Sequence, residues 1–132
     1  MYTVQAAARL LDLKPRAITV AVEQGLVVPH EGKQGRGHSR YFNRLNLIEL
    51  LAVDRLRQFG LMPRAIRRIV PLVANRTFLV DPFRYLIRWN GQPHWIAGDT
   101  LDHLSSFTAV LWLDCQALEE QVDKVLDRGM LN

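Results

Sequence analysis

The chain has a single cysteine, Cys115, among its 132 residues. An internal disulfide is therefore excluded, and a thiolate metal site would have one sulfur to draw on. That usage fits a reducing compartment, and Cys115 reads as a small, soft residue at a strand-to-helix junction. No run approaches the roughly 18 to 20 consecutive apolar residues that a membrane span needs. The first ten residues hold no basic leader followed by a long apolar stretch, so no signal peptide is expected and the expected location is cytoplasmic. His30, His38, His94 and His103 include no i, i+4 pair, so neither a metal nor a cofactor is expected. No nucleophile stands near a base in the sequence pattern, and no loop is built to cradle phosphate. Asp99 and Asp102 are spaced for helix capping and the helix dipole, not for acid–base work. An enzyme is not expected.

What is present is ordinary in bulk, with 48% apolar and 23% charged residues, enough for one core or for two very small domains sharing an interface. The distribution is more informative than the sum. Residues 1–76 carry 13 Lys/Arg against 5 Asp/Glu, whereas residues 77–132 carry 4 against 8. A basic first segment suits a polyanionic partner, because Lys and Arg release counterions from phosphates. Of the 11 aromatic residues 7 lie after residue 76, including Trp89, Trp95 and Trp112. Two segments with different tasks, divided near residue 76, account for both asymmetries.

Thr3 can cap a first helix over about residues 4–11, since Val4, Ala7, Ala8 and Leu11 recur at helical spacing. A tight turn follows at Asp12–Lys14. Pro15 opens a second helix that runs to about Gln24 and stops at Gly25. Two short helices joined by such a turn form a helix-turn-helix. Leu26 to Pro29 then reads as a short strand, and Arg40-Tyr41-Phe42 as its returning partner. Between them, Gly32, Gly35 and Gly37 alternate with Lys33, Arg36 and His38, which makes a flexible basic tip of the kind called a wing. Asn43 can cap a third helix over about 44–59, with Leu47, Ile48, Leu51, Leu56 and Phe59 as its buried stripe. Pro63 opens a fourth helix that turns Ile66, Ile69 and Val70 inward and Arg64, Arg67 and Arg68 outward. Pro71 is expected to kink or stop it, leaving residues 71–76 as a linker.

The second segment predicts strands over Phe83–Trp89 and His94–Ile96, joined at the Asn90-Gly91 turn. A short helix capped by Asp99 or Thr100 runs through about Ser106. Another strand covers Thr108–Leu113, and a last helix capped by Asp114 lines up Leu118, Val122, Val125 and Leu126. The order β-β-α-β-α makes a module of about 50 residues, small enough that docking or dimerisation is expected. Its tryptophans read as core more readily than as a ligand pocket. The fold class is thus α+β: a winged helix-turn-helix of four helices and a two-stranded wing over residues 1–76, then the small module over 77–132.

In order along the chain, Tyr2-Thr3-Val4, Ala7 to Leu11, Leu13-Lys14-Pro15-Arg16, Gly25 to Pro29, Arg40-Tyr41-Phe42-Asn43, Asn46-Leu47 and Leu56 to Leu61 with Ile66 resemble the DNA-binding domain of MerR-type transcription regulators. The likeness covers about half the chain. It implies a cytoplasmic, sequence-specific DNA-binding regulator that meets an inverted repeat in double-stranded DNA as a homodimer. The DNA-binding residues expected are Lys14, Arg16, Thr19, Lys33, Arg36, His38, Arg40, Tyr41, Arg64 and Arg67. Two departures stand out. Ile18 to Val22 lacks the arginine and aromatic that the family carries on its second helix, so Arg16 and Thr19 are left to read bases there. Pro71 and the strand-like residues beyond it replace the long helix of the family's coiled-coil dimer, which assigns dimerisation to the C-terminal module. Two other readings stay open: an antitoxin-like protein whose C-terminal module binds a protein partner, and an excisionase-like architectural DNA binder.

Overall fold

Thr3 has two duties. Its backbone lies in a two-residue strand, β1 (Tyr2–Thr3), and its hydroxyl caps α1 (Val4–Leu11) by accepting from the Ala6 N–H at 3.1 Å. The computed structural model describes residues 1–32, 40–75, 83–89, 91–97 and 109–131. Helix α2 (Pro15–Glu23) opens on its proline as expected, and α3 (Arg44–Gln58) follows Asn43, which forms a reciprocal capping box with Asn46. Helices α1, α2 and α3 end in one way. The residue just past the end takes a left-handed conformation, at Asp12 (φ 54°), Gly25 (φ 71°) and Gly60 (φ 85°). The next N–H then reaches back five residues, Leu26 to the Ala21 carbonyl at 2.9 Å and Leu61 to that of Leu56 at 3.1 Å. At Gly25 and Gly60 a side chain would meet no neighbour, so the requirement for glycine is the backbone angle itself.

The expected strand over Leu26–Pro29 is absent. Leu26 and Val27 are instead buried in the core at 4% and 1% exposure, and the Val28 carbonyl and His30 N–H are bonded by the side chain of Asn46. A side-chain amide thus stands in for a strand ladder. The returning strand does form, as β2 (Tyr41–Phe42), but its partner over two residues is β1, antiparallel, with Glu31 adding a single bridge to Tyr41. Helix α4 (Pro63–Asn75) runs through Pro71, so residues 71–75 are helix and not linker. The apolar face explains this. Val70 and Val73 flank the proline and are 3% and 2% exposed. Burying them contributes about 1.5–3 kcal/mol each, which outweighs the cost of roughly 3 kcal/mol for a proline in a helix. Phe59, expected inside, is 56% exposed because it falls at the helix end, where the left-handed turn at Gly60 redirects the chain.

Strands β3 (Phe83–Trp89), β4 (Gln92–Ala97) and β5 (Ala109–Asp114) form an antiparallel sheet in the order β4-β3-β5. The expected helix from Asp99 or Thr100 to Ser106 lies outside the described residues. Asp114 caps α5 (Cys115–Leu131) through the Ala117 N–H at 3.1 Å and also receives both guanidinium arms of Arg84, at 2.9 and 2.8 Å. Cys115 is buried at that junction. The chain is α+β, with the helical segment first and the sheet with its helix second, yet the hydrophobic core is continuous between them. Leu86, Leu113, Leu118 and Val122 join the same buried cluster as Ala8, Leu47 and Leu51. Trp95 and Trp112 pack on its margin, while Trp89 stands out at 36% exposure with His94 edge-on to it, ring centroids 6.1 Å apart. The Leu118–Val122 stripe of α5 is therefore spent inside the chain. Arg44 reinforces this junction with a two-pronged ion pair to Asp123 of α5, at 2.6 and 2.9 Å.

Candidate nucleic-acid interface

Helix α2 is built to be read from one side. Ile18, Ala21 and Val22 are buried against the body, and Pro15, Arg16 and Glu23 lie exposed on the other flank. No acidic residue occupies its first turn and no side chain caps its start, so the positive end of its dipole is left facing outward beside Lys14 and Arg16. That end attracts anions. Thr19 sits one turn on and half-buried. Its hydroxyl donates to the Arg16 carbonyl at 3.0 Å, which commits its proton to the helix and leaves its lone pairs for a donor on a ligand.

Helix α2 is gripped along its inner side by two arginines from different helices, which meet at Gln24 just past its end. Arg57 of α3 donates to the Ala17 carbonyl at 3.4 Å and to Gln24 Oε1 at 3.0 Å. Arg67 of α4 donates through Nη2 to the Gln24 carbonyl at 2.6 Å. Cations at a helix C-terminus complement the dipole, so the grip is electrostatic as well as geometric. The angle at which α2 presents Arg16 is fixed from behind by α3 and α4.

The second part of the site is the root of the wing. Asn46, only 5% exposed, accepts through Oδ1 from the His30 and Asn43 N–H groups at 3.0 and 3.1 Å. It donates through Nδ2 to the Val28 carbonyl and to Glu49 Oε1 at 3.0 and 3.1 Å. Asn43 in turn turns its amide toward His30 Nδ1 at 3.2 Å. Just beyond, Glu31 and Tyr41 exchange backbone hydrogen bonds at 3.2 and 2.9 Å. Glu49 is mostly covered, and burial pushes its carboxyl above the usual range against the opposing effect of the Asn46 bond.

Of the ten expected contact residues, Lys14 and Arg16 stand exposed at the start of α2 and Thr19 half-buried behind them. Arg67 lies at the other end, roughly 12 Å along the helix at 1.5 Å per residue. Arg64 is exposed one turn before Arg67. Tyr41 is exposed in β2 and Arg40 half-buried beside it. Lys33, Arg36 and His38 lie outside the described residues. Arg57 and Asn46, although they fall within the stretches that carry the family resemblance, are not among the expected site residues. Both belong to α3, whose apolar stripe dominates its pattern, and the partners that tie them to α2 and the wing root (Ala17, Gln24, Val28 and His30) lie 16 to 40 residues away, where no local spacing points.

Residues 2–72 match the family model described as MerR HTH family regulatory protein. Among curated proteins, none matches the chain. The matched span runs from β1 into α4 and so contains α2, its two arginine grips and the wing root.

Proposed function

The chain belongs to the MerR HTH family of regulatory proteins, and from that premise we propose a cytoplasmic, sequence-specific transcriptional regulator that binds an inverted repeat in double-stranded DNA as a homodimer. The observation that carries the reading is the presentation of α2, with Arg16 exposed on its outer flank while Arg57 holds the helix from Ala17 to Gln24 and Arg67 holds it at Gln24. In this reading α2 enters the major groove, Arg16 and Thr19 meet base edges, and Lys14 takes phosphate at the helix start. Lys33, Arg36, His38, Arg40 and Tyr41 track the neighbouring backbone. Arg64 and the free arms of Arg67 neutralise phosphates beyond the other end.

With the α5 stripe occupied, the surface in the C-terminal half that suits a second copy is the β5 side of the sheet. Val110 and Leu111 on β5 are 37% and 39% exposed beside Trp89 on β3. Strand β5 is an edge of the described sheet, and antiparallel pairing of two such edges gives the two-fold symmetry that an inverted repeat demands.

The test is selection from a random-sequence duplex pool, followed by binding of the recovered duplex across a salt series. An inverted repeat should be recovered, with affinity falling steeply as salt rises. Arg16→Ala should cost about 1–3 kcal/mol and relax the choice of base at one position of each half-site. Recovery of no common sequence, together with binding indifferent to salt, overturns the reading.

A further inference from the structure

Between the segment that leaves α2 and the helices α3 and α4 lies an open groove of about 320 Å³. Its lining is mostly aliphatic, with Leu26 and Val28 from that segment and Val70, Pro71 and Ala74 from α4. Small-molecule sites run to roughly 300–1,000 Å³ and set a few polar groups on an apolar wall to orient what they hold. Here the wall carries two charged groups, and they are of opposite sign: Glu49 of α3 and Arg67 of α4. Neither is used up. Glu49 takes the Asn46 amide on Oε1 at 3.1 Å, and among the described residues nothing bonds to its Oε2. Arg67 gives Nη2 to the Gln24 carbonyl at 2.6 Å, and among the described residues the rest of its five N–H donors have no partner. No ion pair among the described residues joins the two side chains. Burial pushes the Glu49 carboxyl above its usual range, a cost that a cation beside its open oxygen offsets. A lone cation in the groove would be opposed by Arg67, and a lone anion by Glu49. A molecule that bears both charges is opposed by neither.

We propose that this groove binds a small zwitterion with an aliphatic body, an amino acid of the leucine type. Its ammonium donates to Glu49 Oε2, its carboxylate accepts from the open arms of Arg67, and its side chain lies against the aliphatic lining. The site stands on residues other than Arg16 and Thr19, and it holds whether or not the DNA-binding reading does.

The test is calorimetric titration of the full chain without DNA, since the proposed function gives the same arms of Arg67 to phosphate. L-leucine is the probe. Isoamylamine, which lacks its carboxylate, and isocaproate, which lacks its ammonium, are the controls. Leucine should bind and raise the melting temperature, and each control should bind about tenfold or more weakly, the effect of losing one charge-assisted hydrogen bond. Glu49→Gln keeps an acceptor for the Asn46 amide and removes the charge. It should bind leucine about tenfold or more weakly than wild type and lose the preference for leucine over isocaproate. Arg67→Gln should lose the preference for leucine over isoamylamine. If Arg67→Gln fails to fold, Ala74→Leu takes its place. It adds bulk to the lining with both charges kept, and should weaken all three compounds alike. Absence of leucine binding at millimolar concentration overturns the proposal. So does a wild type that binds leucine and isoamylamine equally, or a folded Glu49→Gln that binds leucine as tightly as wild type.

Discussion

Glu49 is held where a carboxylate is least at ease. Its folded pKa is raised chiefly by burial, so its ionised form destabilises the fold above that pKa, and protonation relieves the cost as pH falls through it. Glu49→Gln keeps an acceptor for the Asn46 amide and removes the charge. Thermal melts should show the variant more stable than wild type at neutral pH, with the gain shrinking as pH drops through the carboxylate range. A gain that is constant with pH would contradict the assignment. Arg44 and Asp123 behave in the opposite sense. The guanidinium holds the Asp123 carboxyl below its usual range, so the pair contributes above the unfolded pKa and is lost as pH falls through the depressed one. Both side chains are about half exposed, at 46% and 50%. Solvent screening therefore limits their coupling to about 0.5–1 kcal/mol in a double-mutant cycle, less in high salt.

At the scale of elements, Pro71 offers the cleanest case. The helix passes through it, the residue is exposed, and no intrahelical bond can be donated from it. Pro71→Ala should stabilise the protein by about 1–2 kcal/mol, the restored helical bond being partly offset by a freer unfolded chain. Denaturant titration checks this, and destabilisation would mean that the proline ring makes contacts the helix needs. The same residue shows what the sequence reveals and what it hides. Thr3, Pro15, Gly25, Asn43, Gly60 and Pro63 mark helix boundaries by local chemistry, and all five described helices were legible from such marks and from apolar spacing. Pro71 misled because its local cost competes with burial of Val70 and Val73, which only packing decides. Leu26 to Pro29 misled in the converse way. A run with strand propensity closes the preceding helix through its Leu26 N–H, and its Val28 carbonyl and the following His30 N–H are bonded by a side chain from a helix 16 to 18 residues on. In the candidate interface, exposed cations were legible from charge, whereas the residues that aim them, Arg57 and Asn46, were not.

Over the whole molecule the described core is shared by the two compositional halves, and this predicts one unfolding event. Trp89, Trp95 and Trp112 all lie in the second half, while α1 to α4 supply most of the helical signal. Tryptophan fluorescence and far-ultraviolet circular dichroism should therefore trace the same denaturation curve. Two separated midpoints would mean that the halves fold as independent units in spite of their common cluster. A core substitution on one side, such as Leu51→Ala, should lower both signals together by about 2–5 kcal/mol.

That shared core also sets an order of events during synthesis. The basic segment leaves the ribosome before the second, at about 5–20 residues per second, but α1 and α3 are completed on one flank by α5, whose buried residues Leu118 and Val122 are made more than 50 residues after α3. The helices that present Arg16 acquire their finished body only once α5 has been made. A ribosome that stops before Cys115 releases a chain whose apolar flank is uncovered and open to proteases and chaperones.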